Sequence, residues 1–152
     1  GKLGTSDKGL GMRRLLPGPV LCAALLTAGP ALADHCPRDT LAALPGQLND
    51  GGTAVAYKTN PARIEVGKPF SIEVVACVDG EKHMASSRIR VDAGMPMHGH
   101  GMNYQPSERK IGPGHSSFDG MVFHMPGHWQ IMFDVYEGDK RQRLNQKISV
   151  KR

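Results

Sequence analysis

The sequence predicts an all-β fold, an antiparallel sandwich of about seven strands, and three observations carry that expectation. From residue 53 onward apolar side chains recur at every second position in short runs, which is the period of half-buried strands. Nineteen Gly and eleven Pro among 152 residues supply turns between those runs. Aromatic content is only 5%, which with so much Gly and Pro argues against a large helical enzyme. Short strands in about 100 residues, separated by Gly/Pro turns, describe an immunoglobulin-like or cupredoxin-like sandwich.

The elements follow in order. Asp39 to Leu44 reads as a short helix capped by Asp39 or Thr40, and Asn49 to Gly52 as a turn. Val55 and Tyr57 then alternate, and Ile64 and Val66 keep the period of two after Asn60-Pro61. Phe70 to Val78 reads as a buried strand opened by Gly67-Lys68-Pro69. Arg88 to Ala93 alternates basic and apolar residues, with Ile89 and Val91 inward. Ser116 to Phe123 is a further strand. In the next, Trp129, Ile131, Phe133 and Val135 point one way and Gln130, Met132, Asp134 and Tyr136 the other. Gln142 to Lys151 closes the fold, with Leu144, Gln146, Ile148 and Val150 on one face. Gly94 to His115 reads as one long irregular segment, the kind that compact domains keep for function.

The N-terminus sets the compartment. Residues 1–11 read as a leader or fusion scar, and residues 12–33 as a cleaved secretory signal, with a basic start, an apolar stretch and the Ala31-Leu32-Ala33 site. Residues 34–52 form an N-terminal segment with the short helix, and 53–152 the sandwich domain. An exported, periplasmic protein is expected; an uncleaved signal would tether the same domain to the membrane. The whole chain has 19 basic and 14 acidic residues, but Lys2, Lys8, Arg13, Arg14 and Asp7 precede the cleavage site. The remainder is nearly balanced, and no basic stripe alternates with aromatics, so nucleic acid is excluded as a partner. Cleavage also removes Cys22, leaving Cys36 and Cys77 for a disulfide in an oxidising space.

Histidine and methionine are concentrated where the chemistry is expected. Met95-Pro96-Met97-His98-Gly99-His100-Gly101-Met102 offers five donors in eight residues. If extended, it projects His98, His100 and Met102 to one side. Met121, His124, Met125 and His128 form a second group. If the strands that flank Pro126-Gly127 pair, His124, Met125 and His128 come to one rim of the sandwich. Thioether sulfur is a poor ligand for magnesium, calcium or manganese, and zinc prefers imidazole, thiolate and carboxylate. Imidazole with thioether points to copper, Met favouring Cu(I) and His accommodating Cu(II) as well. The candidate metal ligands are Met95, Met97, His98, His100, Met102, His124, Met125 and His128. With no Cys near them, holding or passing copper is favoured over rapid electron transfer. Met132 reads as a core gap-filler and His83-Met84 as a surface pair.

The segments VDAGMPMHGHGMNYQP and FDGMVFHMPGHWQIMFDV resemble the YtkA-like domains, small exported bacterial β-sandwich domains related to the FixH-like group. The resemblance spans roughly residues 53–150. It rests on Met95, Pro96, His98, His100 and Gly101 in the loop, on Phe123, Met125, Pro126, Gly127 and Trp129 in the later turn, and on the upstream Pro69-Phe70 strand start. It implies an immunoglobulin-like fold outside the cytoplasm, in the company of metal-handling or membrane-associated systems, and no established catalytic activity. A lesser likeness is to periplasmic copper chaperones of the Met/His-motif cupredoxin type. His83, Met84 and Met95 match its first half, but Ser117 stands where its later His belongs. The expected function is a copper chaperone or resistance factor and not an enzyme. The alternative is an accessory domain that docks on a membrane transporter, an oxidase or another metal-handling protein through the His/Met loop.

Overall fold

A computed structural model describes residues 36–78 and 87–152, with positions 1–4, 9, 11 and 18 ahead of them. The expected signal segment and the His83-Met84 pair fall outside the described residues, apart from position 18 of the signal. A helix α1 (Arg38–Ala43) comes first. The described strands are β1 (Gly46–Asp50), β2 (Thr53–Asn60), β3 (Pro69–Val78), β4 (Ser87–Met95), β5 (His100–Gly101), β6 (Ser107–Gly112), β7 (His115–Val122), β8 (Gly127–Glu137) and β9 (Lys140–Val150). They form two antiparallel sheets, β1-β2-β3-β7-β6 and β5-β4-β8-β9. The fold is the expected all-β sandwich.

The period of two places the core between the sheets. Val55, Ile72, Val74 and Phe118 face inward from the first sheet, and Val91, Ile131, Phe133 and Val135 from the second. Each such side chain, fully withdrawn from water, contributes about 1.5–3 kcal/mol. Leu144 and Val150 are buried on β9, as their alternation requires. Asp134, on the outer face of β8, is also buried, because Arg143 on β9 covers it with two hydrogen bonds of 2.7 and 2.9 Å. The end of β3 is buried on both faces, which explains its unbroken apolar run. Outside that sheet, Leu41 and Leu44 pack on Ala56 and Val75. The Cys36–Cys77 disulfide ties the same segment to β3, with Cα atoms 5.5 Å apart.

Several local expectations need correction. The residue at the N-cap of α1 is Pro37, with no side-chain cap, so neither Asp39 nor Thr40 caps the helix. β1 is a strand despite its single apolar residue in GQLND, because its backbone completes the edge beside β2. The Gly51-Gly52 pair, both at positive φ, closes that hairpin in two residues. Ile64 and Val66 are not in a strand; the segment turns into Gly67, and both side chains pack against the core from a loop. Residues 94–115 are not one irregular segment either. They extend β4 to Met95, turn back as β5 and cross to the other sheet as β6. Backbone pairing made those strands where side-chain alternation was absent.

One rim of the sandwich collects the His/Met segments. Pro69 stands opposite Val122, so the start of β3 and the end of β7 share that rim. The chain then crosses from β7 to β8, and the β4 register runs to Gly94 opposite Gln130, bringing Met95 to the same end. Cys77 lies at the far end of β3, roughly 25 Å along the strand from Pro69.

Candidate metal centre

The β4–β5 connection is tight and not extended. Residues 96–99 form a turn closed by a hydrogen bond from the His98 amide to the Met95 carbonyl (3.0 Å), with Gly99 at φ 63°. Gly94 makes the return feasible, since a Cβ there would lie 2.9 Å from the His100 carbonyl oxygen. His100 pairs with Met95, and the Met102 amide donates to the Ala93 carbonyl. Residues directly opposite in an antiparallel ladder project to the same face. The register puts His100 and Met102 on the same side of the edge strand as Met95 and Ala93, where Met102 is partly buried against the core and His100 stays exposed. His98 is at the turn instead, so the expected shared side holds for His100 and Met102 alone. The rings of His98 and His100 remain near each other, 6.4 Å between centroids and 27° from parallel. Met97 is exposed at the tip.

The second group is split as well. β7 and β8 do not pair; they belong to opposite sheets, and residues 123–126 bridge them. Trp129 organises the bridge. Its ring stacks on Phe123 at 4.4 Å, takes the His124 ring edge-on at 5.3 Å, and its indole N–H donates to the Met125 carbonyl at 2.9 Å. His128 precedes the inward Trp129 and so sits on the outer face, exposed, its Nδ1 2.8 Å from the Ser149 hydroxyl. The turn therefore does not bring His128 together with His124 and Met125. Ser149 as the partner of His128 was absent from the sequence reading. The signal for it was the tight turn at Gly138-Asp139, which fixes the β8–β9 register and sets His128 opposite Ser149.

On these rim segments several Met and His side chains are withdrawn from solvent. Met95 is 1% exposed, and Met102 and Met125 are partly buried against the same core. Met121, on β7 of the facing sheet, is buried in the same core. His124 is partly buried, and its Nδ1 is withdrawn from solvent with no hydrogen-bond partner. A buried ring nitrogen without a partner is uncommon in a folded protein. Among the described residues no three His, Cys, Asp or Glu side chains are grouped to hold an ion. Cys77 is in the disulfide and lies at the opposite end. Met132, expected as core filling, is half-buried on the outer face of β8.

His115 belongs elsewhere. Its Nε2 pairs with the Glu73 carboxylate at 2.7 Å, away from the rim.

No protein-family model matches the chain, and no curated protein matches it. Among solved structures it is similar to the crystal structure of a DUF4426 family protein from Pseudomonas aeruginosa PAO1. The two are 15% identical, with a TM-score of 0.47, over 69% of this chain and 93% of that one.

Proposed function

We propose that the mature chain is an exported, periplasmic and non-catalytic copper-binding domain, acting as a chaperone or resistance factor. The observation that carries the reading is the buried, unpartnered Nδ1 of His124, on the rim to which the segments carrying Met95, Met102 and Met125 also run. A neutral imidazole nitrogen with thioether sulfurs is a soft donor set that suits Cu(I). His98 and His100, exposed and near each other, supply imidazoles that also accept Cu(II). The absence of a thiolate from this donor set favours holding or handing on copper over electron transfer. The resemblance to YtkA-like exported domains and the disulfide agree with an oxidising compartment.

The test is titration of the mature protein with Cu(I) and with Cu(II) separately, against competing chelators. Sub-micromolar Cu(I) binding is expected, weakened at least about ten-fold when His98, His100 and His124 are all replaced by Ala. Binding no tighter than micromolar in both oxidation states, or unchanged in the triple variant, overturns the reading. A second reading, an accessory domain docking on a membrane transporter or oxidase through the loop, draws on Met97, which is 85% exposed at the turn. A Met97→Ser variant that binds copper normally but no longer associates with the membrane partner favours it.

A further inference from the structure

The two sheets leave a groove of about 590 Å³ along one side of the sandwich, between β2 and β9. β1 pairs with β2 as far as Gly46 opposite Tyr57, so Lys58, Thr59 and Asn60 continue without a strand neighbour on that side. β9 is the last strand of its own sheet and keeps an unbroken register with β8 along its whole length. β1 approaches its beginning, where Gln142 donates to the Asp50 carboxylate (3.1 Å), and the groove opens beside its end, from Ile148 to Lys151. A regular edge of this kind presents unpaired backbone donors and acceptors. The apolar lining is Tyr57, Ile64, Ile148 and Val150, each in the core or packed against it. The charged lining is Lys58, Arg63 and Lys151, with no carboxylate. Glu65, two residues from Arg63, is held by Lys68 at 2.7 Å and does not line the groove. Among the described residues none of the three cationic side chains makes an ion pair or hydrogen bond.

We propose that this groove takes an extended segment of a partner protein, with acidic and apolar residues in alternation, which adds as a strand to the end of β9. The open edge selects an extended backbone, because only that continues the ladder. Side chains of an added strand alternate between its two faces. Those turned into the groove meet Tyr57, Ile64 and Ile148, which selects apolar residues, and those turned outward lie beside Lys147 and Lys151 on β9. With Lys58 and Arg63 on the facing wall the charged lining is wholly positive, which selects carboxylates. Val150 stands opposite Gly127, so the docked segment lies beside the turn that carries His124. A second copy of β9 fits poorly, because the strand carries Lys140, Arg141, Arg143 and Lys147 and no acid, and like charges opposed across a ladder destabilise it. A nucleic acid strand lacks a stacking platform, because the Tyr57 ring packs on Phe133. An anionic bilayer lacks an anchor, because none of the exposed large hydrophobic residues lines the groove.

The experiment uses a fluorescein-labelled peptide of alternating Glu and Val, with binding to the mature, copper-free protein read by anisotropy at low salt. The wild type binds, and Arg63→Glu with Lys151→Glu weakens binding at least about ten-fold. Arg63→Gln with Lys151→Gln, which places no new charge in the groove, acts in the same direction. Arg90→Glu with Lys110→Glu makes the same net charge change at exposed positions outside the groove and leaves binding within about three-fold. A peptide with the same side chains but a methyl on every backbone nitrogen cannot join a sheet edge, and it binds at least about ten-fold more weakly. No binding, equal loss in the two charge-reversal variants, undiminished binding of the methylated peptide, or tighter binding to oligo-dT or to phosphatidylglycerol vesicles overturns the proposal.

Discussion

The terminal methyl of Met95 occupies the space where a side chain at Gly127 would begin, with Cε 2.6 Å from an ideal Cβ there. The first donor of the β4–β5 loop and the turn that carries His124 are thus in direct contact. Gly127 also has φ 133°, where an L side chain is strained. Gly127→Ala is expected to destabilise the fold by about 1–3 kcal/mol, mostly through backbone strain, with a smaller overpacking part because the Met95 methyl is the far end of a flexible side chain. In a urea-denaturation cycle, Met95→Ala removes the overpacking part, so the double variant is more stable than the sum of the single losses requires. Strict additivity would show that the methyl does not fill that space.

His124→Leu separates stability from ligation. Replacing a buried polar nitrogen that has no partner by an apolar group removes a desolvation cost, so the copper-free variant unfolds at the same urea concentration as the wild type or higher. Its Cu(I) affinity falls at least about ten-fold. A large loss of stability without copper would mean that the imidazole is an ordinary packed side chain. The exposed His98→Ala and His100→Ala changes move stability by less than about 0.5 kcal/mol.

The long alternating strands were legible in the sequence, because burial of one face imposes a period that residues such as Trp129, Ile131, Phe133 and Val135 display directly. β1, β5 and β6 were not. Their residues are nearly all exposed or partly exposed and carry no alternation; neighbouring backbone groups define them. The His/Met clustering was legible as composition, and the meeting of both segments at one rim follows from topology. Which donors face inward was not legible. The turn after Met95 depends on the close approach of His100 to Gly94, and a β7–β8 crossing between sheets looks the same in sequence as a hairpin.

The disulfide stabilises one end of the sandwich and the His/Met segments run to the other. Cys36→Ser with Cys77→Ser releases the segment whose Leu41 and Leu44 cover Ala56 and Val75. The bridge closes a loop of about 42 residues, for which the chain-entropy treatment gives roughly 4 kcal/mol. A loss of about 2–4 kcal/mol in urea is expected, with Cu(I) affinity unchanged at a temperature where the variant stays folded. A parallel loss of affinity would mean that the two ends are coupled.

Tyr57 gives the fold an alkaline limit. Its ring packs on Phe133, 5.0 Å between centroids, and it lies over Gly46 so closely that a side chain there would meet the ring. Burial raises the phenol above its ordinary value of 10.0, since the phenolate is the form that loses hydration. The folded state therefore holds the proton more tightly than the unfolded chain. That stability is complete below pH 10.0 and is lost as the pH rises through the higher folded value. Urea unfolding followed from about pH 8 to about pH 11 should show a decline in the wild type that Tyr57→Phe lacks, leaving only the part due to other groups. Parallel profiles in the two proteins would place the alkaline sensitivity elsewhere. Gly46→Ala, which displaces the ring from Phe133 toward water, should both destabilise the fold at neutral pH and flatten the same profile.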